Sequence, residues 1–312
     1  MNSIDENKLA PVIVFGYNRP NHLQDTLLAL NDCDLADKTC LYIFCDGPKG
    51  EPTPEILKVR ETVEQFCVIS KFKNTKFIFS PKNKGLANSI IGGVTEIINE
   101  YEKVVVLEDD LVCSSNFLIF MNQALNYYSS CKNIWSISGY TFPNKELVNL
   151  NEDVFFMGRA SSWGWATWKD RWDTIDWEVT DYKEFQFNFI KRLKFARWGR
   201  DLPIMLDQQV HSNINSWAIR WVYEQSKQNK LSVYPKKSLI ENKGADGSGE
   251  HKANTNLFLT IKDDGLKKSF EFVEPHIVER IRKECKKKYG FSTSVYIRVF
   301  TKNLLIRLGV IK

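Results

Sequence analysis

Residues 103–112, KVVVLEDDLV, run from an almost unbroken apolar stretch into three consecutive carboxylates. Lys103–Leu107 (KVVVL) has the β-branched, non-alternating character of a strand covered on both faces, as in a buried parallel sheet. Glu108, Asp109 and Asp110 fall where that strand reaches the sheet's edge, before apolar Leu111-Val112. Three acids in that position are costly without a cation. Hard divalent ions such as Mg2+ or Mn2+ take carboxylate oxygens together with phosphates, and side-chain alternation lets Glu108 and Asp110 share a face. The plain alternative is a solvated acidic turn.

Upstream, the same pattern repeats. Pro11–Tyr17 (PVIVFGY), Leu41–Cys45 (LYIFC) and Lys76–Ser80 (KFIFS) read as three further strands. Between them, Pro20–Leu30, Pro54–Phe66 and Gly85–Ile98 read as helices, two of them opened by proline. In Gly85–Ile98 the apolar residues 86, 87, 90, 91, 94, 97 and 98 recur with helical period. Strand–helix alternation predicts an α/β fold, a mostly parallel sheet flanked by helices, whose ligands gather at the strands' carboxyl ends. Those ends hold Tyr17-Asn18-Arg19, Asp46-Gly47-Pro48, Pro81–Lys84 and the acidic triplet. No Walker loop, G-x-G-x-x-G or H-E-x-x-H accompanies them.

Beyond Asn116 the reading gives a helix at Asn116–Ser130, a strand at Ile134–Ser138, a tryptophan-rich block, a helix near Trp217–Lys227 and a strand at Leu231–Tyr234. The 312 residues suffice for one large α/β domain with an appendage. The expected division is a domain over 1–260, with a nucleotide-binding half near 10–115 and an acceptor-binding half near 116–260. A basic helical tail over 261–312 follows. The net charge of +5 is uneven: His276–Lys312 holds ten Lys/Arg against Glu279 and Glu284, leaving the rest acidic by three charges. That balance argues against nucleic acid as the substrate. The polar, acidic start at Met1–Ala10 is unlike a secretory signal, so a cytoplasmic address is expected. Seven cysteines without a C-x-x-C pair read as reduced structural thiols.

Six of nine tryptophans lie between Trp163 and Trp198. Trp168, Trp172 and Trp177 read as core. Trp163 and Trp165 flank Gly164, where a missing side chain permits close ligand approach, and their faces suit sugar rings. Asp46 before Gly-Pro suits either a ligand contact or an Asx turn, and Arg19 either a diphosphate or a local cap. His22, His211 and His276 read as structural or surface residues. Lys243–His251 (KGADGSGEH) is a glycine-rich loop able to fold over a bound group, with His251 at its end.

These residues, taken in order, resemble the nucleotide-sugar glycosyltransferases of the GT-A fold. The nearest parallels are the N-acetylglucosaminyltransferase that initiates complex N-glycans and bacterial family-2-like transferases of surface polysaccharides. The resemblance covers roughly residues 10–251. It rests on Asn18-Arg19-Pro20, Asp46, Lys84–Ala87, the acidic triplet, Trp163–Trp168, Ser216–Trp221 and Asn242–Gly249. It implies a metal-dependent, inverting chemistry in which a sugar leaves a nucleoside diphosphate, with UDP favoured, for a hydroxyl of a glycan or lipid-linked oligosaccharide. Phe15, Tyr17, Arg19, Lys84 and Leu86 would line the nucleotide pocket, and Asp46 would bond the base. Glu108 and Asp109 would hold ribose and sugar hydroxyls. Asp110, with His251, would ligate Mn2+ or Mg2+. Trp163, Gly164, Trp165 and Trp217 would meet the acceptor.

One departure matters. The related N-acetylglucosaminyltransferase carries its catalytic aspartate directly after the tryptophan matching Trp217; here Ala218 stands there, and a methyl group takes no proton. Asp246 in the glycine-rich loop is the first substitute and Asp207, expected on or near a helix and solvated, the second. Two rivals remain: a sugar nucleotidyltransferase on a similar sheet, and a carbohydrate- or nucleotide-binding protein without turnover. The basic tail, with Val295, Val299, Leu304, Leu305 and Leu308, fits either an anionic membrane surface, on the cytoplasmic face of the inner membrane, or packing on its own domain.

Overall fold

The computed structural model describes residues 5–246 and 258–290, and beyond them 294, 297, 298, 300, 301 and 305. The first four apolar runs form β1 (Val12–Gly16), β2 (Cys40–Cys45), β3 (Asn74–Phe79) and β4 (Lys103–Glu108), all parallel. They are joined by α1 (Pro20–Asn31), α2 (Pro54–Ile69) and α3 (Leu86–Tyr101). Every residue of β1 is buried, as the unbroken run VIVFG requires of a strand covered on both faces. Pro20 and Pro54 fall in the first helical turn, where the missing N–H costs no hydrogen bond.

After β4 the chain turns into β5 (Leu111–Cys113) and α4 (Phe117–Tyr127). It continues through β6 (Ile134–Ser138), β7 (Val154–Met157) and β8 (Trp165–Trp168). Short helices follow: α5 (Lys169–Trp172), α6 (Tyr182–Gln186), α7 (Phe189–Phe195) and α8 (Leu202–Val210). Then come α9 (Trp217–Lys227), β9 (Leu231–Pro235), β10 (Ile240–Asn242) and α10 (Glu279–Lys288). The main sheet has eight strands in the order β3-β2-β1-β4-β8-β6-β9-β7. Only β8 and β7 run against the rest. The expected α/β fold, a mainly parallel sheet flanked by helices, is therefore what forms.

The tryptophan block holds a strand that the sequence reading did not assign. In β8, Ala166 pairs with Val105 on one side and Ile137 on the other, so WATW lies mid-sheet and is buried throughout. The outlying β5 and β10 form an antiparallel ribbon, Ile240 opposite Cys113 and Asn242 opposite Leu111.

Residues 266–290 lie against this same body. Phe270 meets Phe120 edge-on at 4.9 Å, the Tyr128 hydroxyl donates to the Val273 carbonyl (2.8 Å), and Ile281 and Cys285 of α10 join the one hydrophobic core. No helix among the described residues is long and apolar enough to cross a membrane. All seven cysteines are free thiols; Cys33 and Cys113 bring their sulfurs within 3.4 Å in the core.

Candidate active site at the carboxyl edge of the sheet

Because β1 and β4 are parallel neighbours with Phe15 opposite Glu108, the segments that follow them leave the sheet at the same level. The connections then diverge, α1 leading to β2 on one side and the acidic turn to β5, which gives the crevice in which parallel sheets bind ligands. Arg19 sits at the cap position of α1 but makes no capping bond with its side chain. Its guanidinium reaches the triplet instead. Nη2 bonds Asp109 Oδ1, Nε lies 3.3 Å from Oδ2, and Nη1 stands 2.9 Å from Asp110 Oδ2 without an aligned hydrogen bond.

Asp109 is 4% exposed, and Thr26 of α1 donates to its backbone carbonyl at 2.8 Å. Burial pushes its carboxyl up to about 6; Arg19 pulls in the opposite direction and Asp110 adds to the rise. Burial works to lower Arg19 as well, but Asp109 and Asp110 outweigh it and hold the guanidinium above its ordinary value. Glu108 and Asp110 are half-buried.

The chain past β10 closes on this edge. The Lys243 amide donates to the Asp110 carbonyl (2.8 Å), and a side chain at Gly244 would overlap Asp110 Oδ2. Asn242 Oδ1 accepts from the Gly244 amide (2.7 Å). A short 3-10 turn then carries Asp246 to His22, Oδ2 to Nε2 3.2 Å. His22 is thus half-buried beside the acids, where the sequence reading put an exposed helix start. Its spacing of three from Arg19, one helical turn, is the signal that could have found it. His251 and Gly247–Glu250 lie outside the described residues.

Asp46 is 8% exposed and its carboxylate receives three backbone amides: Gly47 (2.9 Å), Lys84 (2.9 Å to Oδ1) and Gly85 (2.9 Å to Oδ2). It fastens the end of β2 to the turn that opens α3, the work of an Asx-type tie. Gly85 adopts φ 76°, in the left-handed region that glycine tolerates. Leu86 is half-buried on the core and Lys84 is exposed. Tyr17 is half-buried, whereas Phe15, expected in the nucleotide pocket, is a core residue stacked on Phe44 at 5.6 Å.

The acceptor set divides. Trp163 is half-buried, edge-on to Tyr140 (4.5 Å), and borders a cavity of about 180 Å3 that Ser161, Ser162 and Ala218 also line. Trp165 and Trp217 instead lie in the core, 1% and 3% exposed, packed on one another at 5.3 Å and both on Trp221. Three indoles that bury one another satisfy the apolar demand that a sugar face would otherwise meet. Gly164 has φ 63° and Ile240 fills the space where its side chain would project, so the close approach there is made by the protein itself.

Asp207 lies on α8 as expected but is not solvated. Its oxygens receive Nη1 and Nη2 of Arg192 at 2.8 and 2.7 Å, and Oδ1 also accepts from the Tyr182 hydroxyl at 3.0 Å. This is a buried structural ion pair.

Among the described residues, no cluster of three or more His, Cys, Asp or Glu side chains is arranged to cage a metal. A smaller role fits the donors present. Asp110 is a half-buried carboxylate facing a stretch of backbone without a side chain, and a Mg2+-like ion commonly takes one or two carboxylates, with phosphate and water completing its shell.

No protein-family model matches the chain, and no curated protein matches it. Among solved structures, a mannosyltransferase from Pyrobaculum calidifontis, in complex with GDP-Man and Mn2+, is similar at 11% identity and a TM-score of 0.39, over 73% of this chain and 76% of that one. An apo UDP-glucose pyrophosphorylase is similar at 12% identity and a TM-score of 0.40, over 76% and 94%. A UDP-glucose pyrophosphorylase complexed with UDP-glucose is similar at 12% identity and a TM-score of 0.38, over 73% and 90%.

Proposed function

We propose that this protein transfers a sugar from a nucleoside-diphosphate donor, UDP-linked by preference, to a hydroxyl of a glycan or lipid-linked acceptor. The observation that carries the reading is the reach of Arg19 from the end of β1 to Asp109 and Asp110 past the end of β4, opposite the turn that brings in Asp246. A planar fork of donors suits a diphosphate.

In this reading Arg19 exchanges part of its contact with the acids for diphosphate oxygens and draws off charge as the diphosphate departs. Tyr17 and Leu86 flank the base; Asp46 acts through the backbone it fastens, holding the turn at Lys84–Leu86 in place. Asp110 would hold Mn2+ or Mg2+, which when bound neutralises the leaving group. Glu108 contributes hydroxyl contacts. Trp163 offers a half-buried indole to the acceptor. Asp246 takes the proton of the attacking hydroxyl, and His22 orients its carboxylate. Asp246 is preferred to Asp207 because Arg192 occupies both oxygens of the latter.

The test is to incubate the protein with UDP-, GDP- and dTDP-sugars, with and without Mn2+, following free nucleotide, and in parallel to add inorganic pyrophosphate. Release of nucleoside diphosphate, raised by a glycan acceptor, supports the transferase. Formation of nucleoside triphosphate from donor and pyrophosphate would make the protein a nucleotidyltransferase. Tight donor binding with neither product would make it a binding protein.

A further inference from the structure

The outer side of α7 reverses the usual arrangement of a surface helix. Arg192 and Phe195 face the protein, while Ile190 (78% exposed) and Leu193 (48%) face outward with Phe189 (51%), whose ring also meets Phe300 edge-on at 5.7 Å. In an ordinary surface helix the apolar stripe would be the covered one. Lys194 and Lys191 border this apolar stripe, Lys191 paired with Glu184 at 3.0 Å, and Arg197 follows one turn later.

The α10 helix packs against Ala196–Trp198, the turn that follows α7. Arg282 Nη1 donates to the Arg197 carbonyl at 3.2 Å, Arg197 Nη2 lies 3.3 Å from Glu279 Oε1, and the Cys285 thiol faces the Trp198 carbonyl at 3.6 Å. Glu279–Lys288 holds six Lys/Arg against two acids, and only Ile281 and Cys285 are buried. The cations stand close together: burial, and after it Arg200, Arg282 and Arg197, hold Lys286 below the usual lysine range.

We infer that the α7–α10 face docks on an anionic lipid bilayer, Phe189, Ile190 and Leu193 entering the boundary between headgroups and acyl chains while the surrounding cations meet lipid phosphates. Exposed apolar side chains set among lysines match the two attractions that hold interfacial helices on such membranes. Charge selects this occupant over a second copy of the chain, because two such faces brought together would oppose like charges. The inference does not depend on the transferase reading, since it concerns a different surface and a binding event that needs no donor.

The experiment is co-sedimentation of the full chain with vesicles of phosphatidylcholine alone and of phosphatidylcholine mixed with phosphatidylglycerol, at low and high salt. Binding is expected only with the mixed vesicles and should weaken at high salt. Combined Phe189→Ser, Ile190→Ser and Leu193→Ser, and separately Lys191→Gln with Lys194→Gln, should each lower partitioning by about tenfold or more. The lysine pair changes only exposed groups, so it remains informative if the apolar variant folds poorly. Absence of binding to the mixed vesicles, equal binding to neutral ones, or undiminished binding by both variants would overturn the proposal. So would a dimer in sedimentation velocity that the apolar variant dissociates, without vesicle binding.

Discussion

Asp246 Oδ2 stands 3.2 Å from His22 Nε2, so the turn after β10 is fastened to the first turn of α1 directly beside the acidic edge. A base held there would act only as the transition state forms. Asp246→Asn should therefore retain UDP-sugar affinity and lose about 100-fold or more of kcat. Donor affinity by calorimetry and kcat by nucleotide release check this; an unchanged kcat would reject Asp246 as the base.

Removing the carboxylate of Asp110 takes away the half-buried acid that the bare Gly244 backbone faces, and relieves its repulsion of Asp109. Asp110→Ala should abolish the Mn2+-dependent part of donor binding and lower turnover by orders of magnitude. Its circular dichroism should be unchanged and its Tm no lower. Near-normal turnover in Mn2+ would sink the metal role of this residue.

The buried Asp109 carboxyl titrates at about 6 in the folded protein against an ordinary 3.8. The folded state thus binds this proton more tightly than the unfolded chain does. The stability it contributes is complete below the lower value and is lost as pH rises through the higher, a change of about 3 kcal/mol at most. Asp109→Asn removes that slope whatever constant offset it adds. The difference between parent and variant urea midpoints, followed from pH 4 to 7, should tilt towards the variant with rising pH; a difference independent of pH would contradict the assignment.

Asp207 and Arg192 are both buried, and losing one partner leaves the other charge stranded. Asp207→Ala should destabilise the fold by about 3–5 kcal/mol, and the folded protein should keep its kcat. Chemical denaturation measures the first and initial rates well below the melting range the second. A large kcat loss in the folded variant would restore Asp207 as a candidate base.

The parallel half of the sheet was legible because β1, β2 and β4 are largely buried apolar runs and its helices carry one periodic apolar stripe. Lys103–Leu107 and Gly85–Ile98 announce themselves by composition alone. The antiparallel β8 was not, since Trp165 and Trp168 carry the same aromatic character whether they bind a ligand or fill a core. Only the neighbours at Val106 and Ser138 decide between them.

The site itself was half legible. Its acids and Arg19 follow strand ends, positions that topology reveals. Which of them would touch one another depends on side-chain directions after the chain leaves the sheet, and neither the Arg19–Asp109 pairing nor the fastening of His22 to Asp246 is written in a local pattern. Asp46 shows the same limit: an Asx before Gly-Pro suits a ligand contact and a backbone tie equally, until the amides of Lys84 and Gly85 arrive from the next loop.

The ribbon of β5 and β10 joins Cys113 to Ile240, although everything from Ser114 to Leu239 intervenes along the chain. The acidic edge and the turn that covers it are therefore stitched together at the neck of a long excursion. Through evolution, loops of the excursion could be lengthened, trimmed or re-tailored while the jaws at its base keep their spacing. If the transferase reading holds, chimeras that exchange segments within Ser114–Leu239 are the natural place to seek altered acceptor choice on an unaltered donor grip.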